Sequence, residues 1–130
     1  LAWTTFVIVG FIITAIWHLV LFGSVYESLN IYTRDPRFAL GITSFILEGL
    51  AFVYVFQLFR KGKNPIREGL IFGLLVFGVL MGSVGALAEG AKFSATSLST
   101  YLLVEGFFYL ITGAILGTII GLMYGKSSSQ

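Results

Sequence analysis

The sequence predicts an all-α protein, a membrane-spanning four-helix bundle, and three observations predict it. Only 11% of the 130 residues are charged while 57% are hydrophobic, against roughly 25% charge in an ordinary soluble domain. Formal charges leave four long stretches nearly empty: residues 1–26 and 69–88 hold none, and residues 38–59 and 93–125 hold only Glu48 and Glu105 respectively. The joints between these stretches are too short to hold a domain. A charge near the bilayer centre costs about 2.5 to 3.5 kcal/mol or more, so such gaps mark spans. Each gap meets the roughly 20 residues that a helix needs to cross the hydrocarbon.

The chain reads as one transmembrane domain, residues 1–130, with helices at about 2–25, 38–59, 69–88 and 98–124. The first stretch is long for the apolar region of a signal peptide and carries no basic segment ahead of it, so it reads as a span. Pro36 starts or just precedes the second helix, and Arg60-Lys61-Gly62-Lys63-Asn64-Pro65 ends it. The run Ile71-Phe72-Gly73-Leu74-Leu75-Val76-Phe77 is apolar without interruption, which excludes the alternation of a membrane barrel. Residues 89–97 form a small polar joint, and Gly125-Lys126-Ser127-Ser128-Ser129-Gln130 forms a solvated tail.

Arg60, Lys61, Lys63, Arg67 and Lys126 fall on one side of this topology, and Arg34, Arg37 and Lys92 on the other. The positive-inside rule then places both termini and the middle loop in the cytoplasm. Trp3 and Tyr124 are expected at the inner interface, and Tyr26 and Tyr32 near the outer one. The net charge of +2 excludes a nucleic-acid binder of the usual kind, and the absence of cysteine excludes disulfides and thiolate chemistry.

Thr43-Ser44-Phe45-Ile46-Leu47-Glu48-Gly49 aligns with Thr100-Tyr101-Leu102-Leu103-Val104-Glu105-Gly106. Both copies set a carboxylate before a glycine, which reads either as two tandem parallel-repeat hairpins or as convergent helix composition. Small residues also recur in steps of about four: Gly69 with Gly73, Gly78 with Gly82, and Gly113, Gly117 and Gly121. Such stripes let two backbones approach, either between the third and fourth helices or against a partner chain. Aromatic residues of the first two helices, among them Trp17, Phe22, Phe45, Phe52, Tyr54 and Phe56, read as core filler or lipid-facing groups, with no cofactor implied.

Ionisable groups within a span are functional candidates by default. Here they are His18, Glu48 and Glu105, with Glu89 at the rim of the third helix and Tyr101 a turn from Glu105. They read as a neutral hydrogen-bonded network, as a relay for protons or small ions through Glu48 and Glu105, or as a metal site of His18, Glu48 and Glu105. No nucleophile elbow or phosphate-binding glycine loop is present in the sequence.

Trp17-His18 followed by Leu21-Phe22-Gly23, and Tyr109 followed by Gly113-Ala114-Ile115-Leu116-Gly117, resemble motifs of an uncharacterised family of small bacterial four-helix membrane proteins. In that family the first motif usually includes a proline and is one residue longer. The resemblance implies the same architecture over the whole chain and no particular activity. The leading expectation is a non-catalytic accessory or assembly subunit, surrounded by lipid and packed on membrane-protein partners or on further copies of itself. A small transporter, channel or proton-conducting protein is the alternative, and a metal-binding membrane protein or enzyme the third.

Overall fold

The structure, a computed structural model, describes residues 1–31, 38–92 and 95–126. Its elements are α1 (Ala2–Ala15, running on as a π-helical segment Ile16–Leu21), α2 (Gly23–Ser28), α3 (Phe38–Phe59), α4 (Pro65–Phe72, running on as a π-helical segment Gly73–Ser83), α5 (Val84–Gly90) and α6 (Leu98–Lys126). Four helices are long and apolar enough to cross a membrane, at Ala2–Leu21, Ala39–Phe59, Pro65–Gly90 and Leu98–Gly125, which fits an integral membrane protein. Tyr32, Arg34, Asp35, Pro36, Arg37 and residues 127–130 lie outside the described residues.

Four expected helix boundaries move, among them the end of the third helix, which lies at Gly90 and not at 88. The first helix loses α-geometry after Ala15 and breaks at Phe22, whose φ of −121° and ψ of 14° leave the helical region. No proline stands at this break, and only Gly23, the residue directly after it, marks the place in the sequence. The third span begins at Pro65, because Asn64 caps it by accepting from the Arg67 amide at 3.1 Å. Counting from the last charge, Glu68, had clipped that turn. The last helix extends two residues past its expected end, to Lys126.

Neighbouring helices run antiparallel. A Cβ on Gly10 would meet Phe45, and one on Gly49 would meet Phe6, which fixes α1 against α3. The tightest pairing is α4 with α6. A Cβ built on Gly69, Gly73, Gly113 or Gly117 would fall on a carbonyl oxygen of the facing helix, namely Gly117, Gly113, Gly73 and Gly69 respectively. Gly121 meets the Pro65 carbonyl in the same way, while Gly78 faces Leu110 and Gly82 faces the Tyr109 ring. The stripe on α6 is therefore occupied by α4 of the same chain. Each glycine costs about 0.5 to 1 kcal/mol of helix propensity relative to alanine, offset here by backbone-to-backbone dispersion contact.

Two clusters fill the interior. Toward the end that carries Leu1, Phe6, Phe52, Phe56, Phe72, Phe77, Leu116 and Ile120 pack together, with Tyr109 and Tyr124 against them. Phe52 and Phe72 meet edge to face with centroids 4.8 Å apart, a favoured arrangement. Toward the opposite end, Trp17, Tyr26, Leu29, Tyr101 and Phe108 form the second cluster. Arg60 lies over the Tyr124 ring at 4.7 Å, and Leu1 and Ala2 line a groove with Met123 and Tyr124. The start of α1, the α3–α4 loop and the end of α6 thus share one end. At the other, Thr96 donates through its amide and hydroxyl to the Leu29 and Ser28 carbonyls, and Asn30 closes α2 with a φ of 55°.

Candidate functional site

The π-helical segment Ile16–Leu21 and the break after it place His18 and Tyr26 together. The Phe22 amide donates to the Trp17 carbonyl at 2.9 Å, closing the π turn. Beyond the break, α2 brings the Tyr26 ring beneath the imidazole, stacked at 4.6 Å and 29°. Phe108 of α6 meets the imidazole at 4.7 Å with the rings near perpendicular. Two rings thus pack on the imidazole and restrict where its nitrogens point.

Those nitrogens define the chemistry. Nδ1 lies 3.0 Å from the Thr14 carbonyl oxygen, which can only accept, so Nδ1 carries a hydrogen. Nε2 lies 3.2 Å from Glu105 Oε1, and the Tyr26 hydroxyl donates to the same oxygen at 2.6 Å. With Nδ1 committed as donor, one proton occupies the Nε2···Oε1 contact. It belongs either to an imidazolium facing a carboxylate or to a carboxyl group facing a neutral imidazole. The net charge of the pair is zero in both cases, which is the condition under which two ionisable groups stay buried. Glu105 is 6% and Tyr26 1% exposed.

A second pair adjoins the first. Tyr101, one turn before Glu105 on α6, donates from its hydroxyl to Glu89 at 3.0 Å. On the deeper side, the hydroxyls of Thr14 and Thr112 and the indole N–H of Trp17 are buried with no hydrogen-bond partner among the described residues. Gly10 faces Leu116 and His18 faces Phe108 across the α1–α6 contact, so one turn between these levels sets Thr14 opposite Thr112. Three orphaned polar groups next to a histidine and a glutamate make a polar core that ends at the phenylalanine cluster.

The expected residues divide. His18 and Glu105 touch, Glu89 and Tyr101 join them from α5 and α6, and Glu48 stands apart on α3. Its Oε1 accepts from the Ser44 hydroxyl one turn away, at 2.8 Å. Among the described residues no three of His, Asp and Glu gather as metal ligands, so the triad of His18, Glu48 and Glu105 is not assembled. Ser83 donates to the Gly78 carbonyl at 3.1 Å, along its own helix. The aligned Glu48-Gly49 and Glu105-Gly106 pairs also differ: Gly49 packs against Phe6 and Trp3, and Gly106 faces open space.

Sequence reasoning missed Tyr26, read there as an interfacial anchor. It stands eight positions after His18, a spacing that carries no contact signal until the π turn and the break are known. Trp3 instead uses its indole, donating to the Ile46 carbonyl at 3.1 Å. Compared with protein families, with curated proteins and with solved structures, the chain matches none of them.

Proposed function

We propose that the protein is an accessory or assembly subunit of a larger membrane complex, without catalysis of its own, and that α3 is its docking helix. Glu48 carries this reading. It lies in the middle of the 22-residue helix, about 15 Å from either end. A carboxylate at that depth is expensive, and one hydroxyl offsets only part of the cost. Among the described residues the one ion pair is that of His18 with Glu105, so no cation of the bundle answers Glu48. Residues 39–44 are exposed around the whole helix, and a Cβ on Gly41 would meet nothing within 4 Å. Gly41, Ser44 and Glu48 recur at helical spacing and offer a small, polar stripe. A partner helix bearing Lys, Arg, His or an amide at that level would complete the carboxylate.

The same proposal includes three finer readings. The glycine steps of α4 and α6 serve as a membrane packing motif. Hairpins α1–α3 and α4–α6, both starting from the same end, form two tandem units. The end bearing Arg60, Lys61, Lys63 and Arg67 faces the cytoplasm, as the positive-inside rule favours.

Purification of the native complex in mild detergent, followed by intact mass analysis, tests the docking reading. A larger membrane protein should accompany the chain in fixed stoichiometry. Glu48→Leu should lower its occupancy about tenfold, as loss of an intramembrane polar contact of about 1 to 2 kcal/mol predicts, while Glu105→Gln retains it. A chain that runs alone, or only with copies of itself, would refute the proposal.

The single proton between His18 and Glu105 favours a second reading, a proton-conducting protein. Its route would have to pass the phenylalanine cluster, against which the Tyr109 and Tyr124 rings are packed. Proton flux into liposomes that falls to background with both Glu48→Gln and Glu105→Gln would establish conduction in place of docking.

A further inference from the structure

We propose that the loop joining α3 to α4 is a binding site for an anionic phospholipid, with Lys61, Lys63 and Arg67 at its phosphate and Phe59 and Ile71 along its acyl chains. The inference requires the four helices to lie in a bilayer and is independent of the docking role of α3.

The loop is built as a rigid cradle. Glu68, in the first turns of α4, folds its carboxylate back over the preceding residues. Oε2 accepts from the amides of Lys61 and Gly62 at 2.8 and 3.0 Å, and Oε1 accepts from those of Lys63 and Asn64 at 3.1 and 3.4 Å. Gly62 reverses the chain at a φ of 76°, a conformation that other residues adopt at a cost. Asn64 closes the arrangement by capping the Arg67 amide. Four consecutive backbone donors therefore converge on one carboxylate. The loop is fixed, and the Glu68 carboxylate, which lines the same groove as the cations, is engaged by backbone amides.

Those cations are left for something else. Lys61, Lys63 and Arg67 line a groove of about 300 Å³ together with Phe59, Asn64, Glu68 and Ile71, three cations against one carboxylate, and no ion pair joins any of the three to a carboxylate among the described residues. Their fourth neighbour, Arg60, is placed over Tyr124. Phe59 closes one candidate span, and the next opens at Pro65, so the groove sits where headgroups lie. Phe59 and Ile71 are 41% and 37% exposed, giving the cationic rim an apolar wall on the side of the hydrocarbon. A free phosphate would use only the rim. A phospholipid uses both parts, with the groove sized for its headgroup and the chains continuing along the outer faces of α3 and α4.

The whole chain, purified in mild detergent, can be titrated with phosphatidylglycerol and with phosphatidylcholine of the same acyl chains, with bound lipid counted by native mass spectrometry. Phosphatidylglycerol should bind about tenfold or more tightly. Lys61→Gln, Lys63→Gln and Arg67→Gln should each weaken it about fivefold, the effect of one interfacial cation, and Lys92→Gln, at the opposite end, should leave it unchanged. Glu68→Gln is decisive: simple charge counting predicts tighter binding, whereas a loop that loses its clamp predicts weaker binding. Helicity measured on every variant shows that the fold is kept. Equal binding of the two lipids, tighter binding by Glu68→Gln, or displacement of phosphatidylglycerol by glycerol phosphate at the same concentration would each overturn the proposal, the last by revealing a plain phosphate site.

Discussion

Gly73→Ala should destabilise the bundle by about 3 kcal/mol or more, although it adds a single methyl group. That methyl would fall on the Gly113 carbonyl oxygen and lie 2.8 Å from the Gly117 Cα. Both are backbone atoms that no rotamer change can move. The helices must part, and the neighbouring contacts of Gly69 and Gly117 open with them, which is why the cost reaches the upper range for overpacking. Gly106→Ala is the matched control. It places the same methyl on α6 where nothing lies within 4 Å, so better helix propensity should leave it neutral or more stable by up to about 1 kcal/mol. Unfolding in detergent micelles, followed by far-ultraviolet circular dichroism, compares the two. Similar midpoints for both variants would mean that α4 and α6 do not meet as described.

Glu105→Leu should cost about 3 to 5 kcal/mol, because it removes the acceptor shared by the Tyr26 hydroxyl and His18 Nε2 and breaks a pair of ionisable groups that offset each other's burial. Glu105→Gln separates the two placements of the shared proton. A glutamine keeps an oxygen for Tyr26 and an N–H for a neutral imidazole, so it imitates the protonated carboxyl. Its cost should be well below that of leucine. Adding His18→Phe to each variant gives a double-mutant cycle, and a coupling near zero between positions 18 and 105 would refute the pairing.

The four spans were legible because exclusion of charge from hydrocarbon acts on every residue and needs no knowledge of packing. The direction in which each side chain points was not legible. In a segment as uniformly apolar as residues 69–88, no polar face marks the inside, so helical periodicity says little about azimuth. Glu48 and Glu105, similar in sequence setting, therefore separated in space, one buried against His18 and the other half-exposed on α3. The glycine steps were informative since small residues indicate contact directly, yet they could not say whether the contact was with α4 or with another chain. The π-helical segments, which rotate everything that follows, left no trace in composition. Tyr26 reached the site only through one of them.

The glycines of α4 that face α6 stand at 69, 73, 78 and 82, and those of α6 at 113, 117 and 121. One helix thus advances by four, five and four positions while its mate advances by fours, the odd step falling where α4 is π-helical. Two threads cut to different pitches mesh at a single setting. Sliding either rod by one turn would drive a carbonyl into a side chain at some point along the seam. The α4–α6 pair thus serves as a keyed spine, on which α1 is seated through His18 and Glu105.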